Sequence, residues 1–159
     1  MHPLTPHRLN STPTILYNKS CSIDTLAVTA RELLVFLEGN KRFCLWLDAP
    51  MGYGKTTITR HLLQALGLEN DEVTSPTFTY KQDYYCKDRW YAHFDLYRLQ
   101  DLPNTDTLEI FDTQGYTGVF VEWPLQSISP QDTLYPTHIL KINCQDRSQS
   151  TRDILLYKL

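Results

Sequence analysis

Gly52-Tyr53-Gly54-Lys55-Thr56-Thr57 brings glycines, one cation and adjacent hydroxyls together in a short stretch. Those residue types in that order suit the binding of a nucleoside triphosphate. Glycines let backbone N–H groups converge on phosphate oxygens without Cβ clashes, so Gly52, Tyr53 and Gly54 are read as the phosphate-facing turn. Lys55 can reach the β- and γ-phosphates, and the Thr56 hydroxyl can bind Mg²⁺. An apolar run, Phe43-Cys44-Leu45-Trp46-Leu47, precedes the turn, and a helix-like run from Ile58 to Leu66 follows it. Strand, glycine turn, Lys-Thr and helix are the setting a P-loop needs, and the positive end of the helix adds to the same site. The usual spacing, G-x-x-x-x-G-K-[ST], places its first glycine on Ala49, which is a departure at one position.

Hydrolysis of a bound triphosphate needs Mg²⁺, and Mg²⁺ prefers oxygen ligands plus waters. Two acids end apolar strand-like runs: Asp95 after Trp90-Tyr91-Ala92-His93-Phe94, and Glu122 after Val119-Phe120-Val121. Neighbouring parallel strands end at one rim, so both acids become candidates for metal ligation and for orienting the attacking water. Spacing leaves either role open to either residue. Thr77, in the loop after the P-loop helix, is a third metal candidate, or else a turn threonine bonded to backbone. His93 is either catalytic or a satisfied structural histidine. Arg98 has three possible partners: a phosphate, an acid or another protein.

Several elements must position these groups. A strand is expected at Thr14–Tyr17. A helix capped by Ser22 or Asp24 should run to about Glu38, with Leu26, Ala30, Leu33, Leu34 and Leu37 on one face and Gly39 closing it. Phe43–Asp48 is the strand feeding the P-loop, and the helix after it ends at Gly67. Further strands are expected at Thr79–Tyr84, Trp90–Asp95, Tyr116–Glu122, His138–Asn143 and Asp153–Lys158. The charged turn Lys87-Asp88-Arg89 should join the first two of these, and a helical segment is expected around Asp106–Asp112. The pattern predicts an α/β fold, a P-loop NTPase-like three-layer sandwich around a mixed, partly parallel sheet. Residues 1–13 read as a flexible tail and 14–159 as one domain.

Composition excludes other classes. A net charge of −3 on 159 residues gives no basic footprint for autonomous DNA binding. The tail has no apolar core of a signal peptide, and no run is long enough to span a membrane, so a cytoplasmic protein is expected. Cys21, Cys44, Cys86 and Cys144 are scattered without a C-x-x-C pair, which suits a reducing compartment. A zinc site on Cys86 and His93 would lack further ligands. Tyr80-Lys81-Gln82-Asp83 matches the guanine-reading [NT]-K-x-D signature only at its lysine and aspartate and lies too near the P-loop, which favours ATP over GTP.

Gly54-Lys55-Thr56-Thr57, Thr74-Ser75-Pro76-Thr77-Phe78, His93-Phe94-Asp95-Leu96-Tyr97-Arg98 and Glu122-Trp123-Pro124, in that order, resemble the bacterial TsaE (YjeE) family. The resemblance covers about residues 22 to 156, including Thr25 and Arg152. It departs at Ala49, where the family has glycine, and at Tyr53, where a small residue is usual. It implies a small cytoplasmic ATPase that works with the TsaB–TsaD pair. That pair places a threonylcarbamoyl group on the adenosine beside the anticodon, and tRNA is met through the complex. It further implies phosphate and metal binding by Lys55, Thr56 and Thr57. Thr77, Asp95 and Glu122 would then lie in the Mg²⁺ and water environment, with Trp123 shaping the site. The residues alone also allow a small-molecule kinase or a non-hydrolysing, ATP-dependent binding module.

Overall fold

The computed structural model describes residues 12–39, 41–69, 73–74, 76–100, 111–144 and 150–159. Residues 1–11 of the expected tail, Ser75, positions 106–110 of the expected helix and Arg147 lie outside the described residues. The chain runs through β1 (Thr14–Ser22), α1 (Leu26–Leu37), β2 (Phe43–Asp48), α2 (Lys55–Leu66) and β3 (Lys81–Cys86). It continues through β4 (Arg89–Asp95), β5 (Tyr116–Glu122), β6 (His138–Asn143) and β7 (Thr151–Lys158). These strands form one sheet in the order β1-β7-β6-β2-β5-β4-β3. β6, β2, β5 and β4 are mutually parallel; β3, β7 and β1 add antiparallel edges.

The central strand shows why its sequence is apolar throughout. Phe43, Leu45 and Leu47 of β2 face one core, while Cys44 and Trp46 face the other. A parallel strand covered on both sides has no polar face to offer water. Both helices lie on the first side. Leu33 and Leu37 of α1 and Leu62 and Leu63 of α2 are fully buried there, each contributing about 1.5–3 kcal/mol by the usual area relation. On the second side, among the described residues, the cover includes Leu96, Leu99, Leu125 and Leu134 from connecting segments, and Trp46 Nε1 donates to the Leu134 carbonyl at 2.8 Å.

β5 passes close under aromatic rings. Gly118 has no side chain because a Cβ there would stand 2.9 Å from Tyr91 Cδ1 and nearer still to the Phe43 ring. Gly118→Ala is therefore expected to cost about 1–3 kcal/mol through overpacking. Urea denaturation should show a lower midpoint with an unchanged slope.

Several boundaries differ from the sequence reading for local reasons. β1 extends to Ser22 because backbone pairing with β7 asks nothing apolar of Asn18, Lys19 and Ser20, and the Ser20 hydroxyl also donates to the Asp153 carboxylate opposite it. β3 begins at Lys81 rather than Thr79, because the Thr79 and Tyr80 N–H groups are taken by the Pro76 carbonyl and Tyr80 turns at φ 61°. Lys87 and Asp88, at φ 49° and 59°, make a two-residue hairpin turn and leave Arg89 in β4. Helix α1 closes on right-handed Glu38, so Gly39 has no left-handed role, whereas Gly67 at φ 116° does cap α2. The aromatic stretch from Tyr80 to Tyr91 divides: Tyr84 and Tyr91 are buried, while Tyr85 and Trp90 stay exposed with ring centroids 5.0 Å apart and planes tilted by 46°. All four cysteines are free, and burial pushes the Cys44 thiol up to about 12. Among the described residues, no helix is long and apolar enough to cross a membrane.

Candidate active site

The P-loop leaves β2 at Asp48 and enters α2 at Lys55. Two of its residues require the left-handed region: Gly52 at φ 81° and Gly54 at φ 97°. Ala49 is not in that region and is only 8 % exposed. The position where the usual spacing has glycine therefore makes no conformational demand that alanine cannot meet. Lys55 Nζ donates to the Ala49 carbonyl at 2.7 Å and the Pro50 carbonyl at 3.0 Å, and it stands 3.8 Å above the Trp123 ring. Burial pulls the Lys55 pKa below its ordinary value, and the nearby Glu122, Asp95 and Asp48 carboxylates oppose that shift.

β4 and β5 are parallel with Asp95 directly opposite Glu122, which sets both acids on the rim beside the P-loop. Each holds a threonine. Thr56 Oγ1 donates to Glu122 Oε1 at 2.8 Å, and Thr77 Oγ1 donates to Asp95 Oδ2 at 2.7 Å. A hydroxyl that gives its proton to a carboxylate turns oxygen lone pairs outward, the donor a hard cation needs. Asp95 Oδ1 also accepts the Tyr97 N–H at 3.1 Å, and the Asp95 N–H reaches the Tyr80 carbonyl at 3.0 Å. The acid is thus fixed from both ends. Spacing had left the two acids interchangeable; the geometry ties Glu122 to the P-loop threonine and Asp95 to the threonine of the following loop.

Gly52, Gly54, Lys55, Thr56, Thr57, Thr77, Asp95, Glu122 and Trp123 all line one cavity of about 380 Å³. Tyr53 does not. Its ring packs against the helix-side core and borders an adjoining cavity of about 190 Å³, where the Arg152 guanidinium lies 5.8 Å from the ring centroid. The two cavities meet along Gly52, Gly54 and Thr57. Arg98 lines neither; it stacks 4.5 Å from the exposed Phe78 ring. Lys81 and Asp83 of the guanine-signature lookalike pair with each other at 3.2 Å on the edge strand, away from both cavities. Cys86 and His93 do not converge, since Cys86 donates to the Leu66 carbonyl and His93 meets Glu122. No three His, Cys, Asp or Glu side chains cluster as a ready-made metal site among the described residues.

Sequence reasoning overlooked three contributors. Tyr97 and Met51 line the larger cavity. Gln100 Nε2 donates to the Trp123 carbonyl at 2.7 Å, supporting a residue held at φ 56°, a left-handed conformation that costs a non-glycine residue about 1–3 kcal/mol. His93 had an available signal: two residues before Asp95 on a strand, it must share that acid's face.

Comparison with known proteins places this geometry in context. A family model described as threonylcarbamoyl adenosine biosynthesis protein TsaE matches residues 21–154. Two curated relatives carry the name tRNA threonylcarbamoyladenosine biosynthesis protein TsaE. The one from Haemophilus influenzae is 36% identical over 93 residues, which is 58% of this chain and 58% of its own length. The one from Aquifex aeolicus is 33% identical over 118 residues, covering 72% of this chain and 80% of its own. The match to the Haemophilus protein thus spans less than two thirds of that relative. The crystal structure of YdiB from Bacillus subtilis shares the fold, with a TM-score of 0.59 at 21% identity over 94% of this chain and 88% of YdiB.

Proposed function

We propose, from the premise that this chain belongs to the TsaE family, that it is a partner-stimulated ATPase serving threonylcarbamoyladenosine formation on tRNA. The observation that carries the reading is the pairing of two carboxylates with two threonine hydroxyls around the cavity that the P-loop opens into. Lys55 is the cation in that cavity and would bind the β- and γ-phosphates. Thr56, Thr77, Asp95 and Glu122 would hold Mg²⁺ and its water shell. When bound, Mg²⁺ neutralises charge developing on the transferred phosphoryl oxygens. Glu122 or Asp95 orients the attacking water. Gly52 and Gly54 keep the loop open to phosphate oxygens, and Thr57 stands where the two cavities meet. The ribose and base would continue into the smaller cavity, against Tyr53 and near Arg152.

The partner in this reading is the TsaB–TsaD pair in the cytoplasm, which would hold the tRNA and perform the transfer itself. The net charge of −3 agrees with a subunit that does not grip nucleic acid alone. Among the described residues, no arginine lines the larger cavity to act as a rate-enhancing cation there. Such a group is worth roughly 10³–10⁵ in rate where it is used. Slow hydrolysis alone and faster hydrolysis in complex follow.

The test is steady-state ATP hydrolysis by the pure chain with and without a TsaB–TsaD pair from the same source. Slow turnover that rises at least tenfold with the pair is the expected result. Turnover by the isolated chain at a mature kinase's rate of about 1–100 s⁻¹ would overturn it. Bound ATP without hydrolysis in either condition would assign a binding module instead.

A further inference from the structure

We infer that His93 is the positioning residue that fixes which oxygen of Glu122 faces the reaction cavity, an inference that rests on the ATPase reading above. His93 is fully buried on β4. Its Nε2 lies 2.9 Å from Glu122 Oε1, the same oxygen that accepts the Thr56 hydroxyl at 2.8 Å. An ionised carboxylate only accepts, so the imidazole proton sits on Nε2 and is donated to Glu122. Oε1 is thereby held by two donors from different elements, one on the P-loop helix and one on β4. Oε2 takes no hydrogen bond among the described residues, while the side chain borders the larger cavity. One oxygen is the anchor, and the other is left to the cavity.

The opposite edge of the ring supports this assignment. His93 Nδ1 is buried without a hydrogen-bond partner among the described residues. A buried polar atom without a partner is destabilising, and His138 Nε2 is buried in the same way; what sets His93 apart is that its partnered nitrogen meets a carboxylate, whereas that of His138 meets the Thr137 hydroxyl. In the sheet His93 lies between Phe120 of β5 and Gln82 of β3. The Nε2–H tautomer leaves unmet only an acceptor, whereas the alternative would bury an unpaired N–H donor and point a lone pair at a carboxylate. The site thus tolerates an unsatisfied atom to keep one N–H aimed at Glu122. A carboxylate fixed by two donors is pre-organised, and an oxygen misplaced by about 1 Å can cost on the order of 10²-fold in rate. His93 need not touch nucleotide to exert that effect.

Three measurements on the full chain test the role. Long-range ¹H–¹⁵N spectra of the ring should show a single Nε2–H tautomer for His93, and Glu122→Ala should abolish that preference. A dominant Nδ1–H tautomer in the unsubstituted chain would overturn the inference without reference to any activity. In hydrolysis assays with the TsaB–TsaD pair, His93→Leu should lower kcat by about 10–10²-fold while KM for MgATP stays within about threefold. His93→Gln, whose amide N–H can reach the same oxygen, should recover most of the lost rate. Thermal midpoints of both variants establish that they fold. If His93→Leu retains full kcat, or loses nucleotide affinity in step with kcat and is not rescued by glutamine, the positioning role falls. If the unsubstituted chain hydrolyses no ATP even with the pair, the proposed function falls, and with it this use of Glu122. If the unsubstituted chain is active and the variants are too, only the role of His93 falls.

Discussion

Lys55→Ala is expected to lower ATP hydrolysis by at least about 10²–10³-fold and to weaken MgATP binding together with it. The magnitude follows from loss of a single pre-placed charge at a phosphoryl centre. Among the described residues, Lys55 is the only lysine or arginine lining the larger cavity, which Asp95 and Glu122 also line. Without the ammonium, a triphosphate would meet two carboxylates and, among the described residues, no side-chain cation. The loss should not come from unfolding. Lys55 bonds to its own loop carbonyls, and the first turn of α2 is closed by the Ile58 N–H on the Gly54 carbonyl at 2.9 Å. Calorimetric titration with MgATP beside a thermal melt separates the two causes. Wild-type affinity in a folded variant would remove Lys55 from the phosphate site.

The second large effect is expected at Glu122. Glu122→Gln preserves an oxygen for the Thr56 and His93 donors and removes only the charge. It should lower kcat by about 10²–10⁴-fold, the usual range for a group that accepts or orients a proton in the transition state. MgATP should still bind within about threefold of the wild type. Asp95→Asn should behave differently. Its carboxylate holds Thr77, so its loss should raise the Mg²⁺ concentration needed for half-maximal rate. Steady-state kinetics over a Mg²⁺ series for both variants distinguishes the assignments. The result that defeats them is Glu122→Gln turning over at the wild-type rate, or the two variants having exchanged phenotypes.

Most of what positions the cavity was legible in the residues, and the reasons are local. β2, β5 and β6 are short apolar runs buried on both faces, and their bounds agree with the sequence reading residue for residue. Gly67 announces its helix end because φ 116° excludes most side chains. β1 and β3 were misjudged because backbone pairing at a sheet edge needs no apolar pattern, and because the turn at Tyr80 depends on a carbonyl four residues earlier. The acids were legible as strand ends. Their threonine partners were not assignable, since the Thr77–Asp95 and Thr56–Glu122 bonds span 18 and 66 residues of chain. Tyr53 is read with the phosphate-facing turn by adjacency, and its ring packs against the helix-side core and borders the smaller cavity, which spacing does not reveal. That His93 shares a face with Asp95 follows from strand alternation; that it meets Glu122 depends on the parallel register of β4 with β5.

The pairing of β1 with β7, from Thr14 opposite Lys158 to Ser22 opposite Thr151, has a consequence in time. A ribosome making this chain delivers β1 long before β7, its sheet neighbour among the described strands. At roughly 5–20 residues per second, β1 waits on the order of 6–26 s for a partner. The edge of β2 stays open until β6 arrives, although the residues of the phosphate-binding turn and both acids have already been made. An unpaired strand is a template for association with other chains. β1 is suited to the delay: its tract Asn18-Lys19-Ser20 is exposed and polar even in the finished sheet. β2, apolar along nearly its whole length, is not. Its early neighbour β5 and the helix α2 must therefore shelter it while β6 and β7 are still being translated.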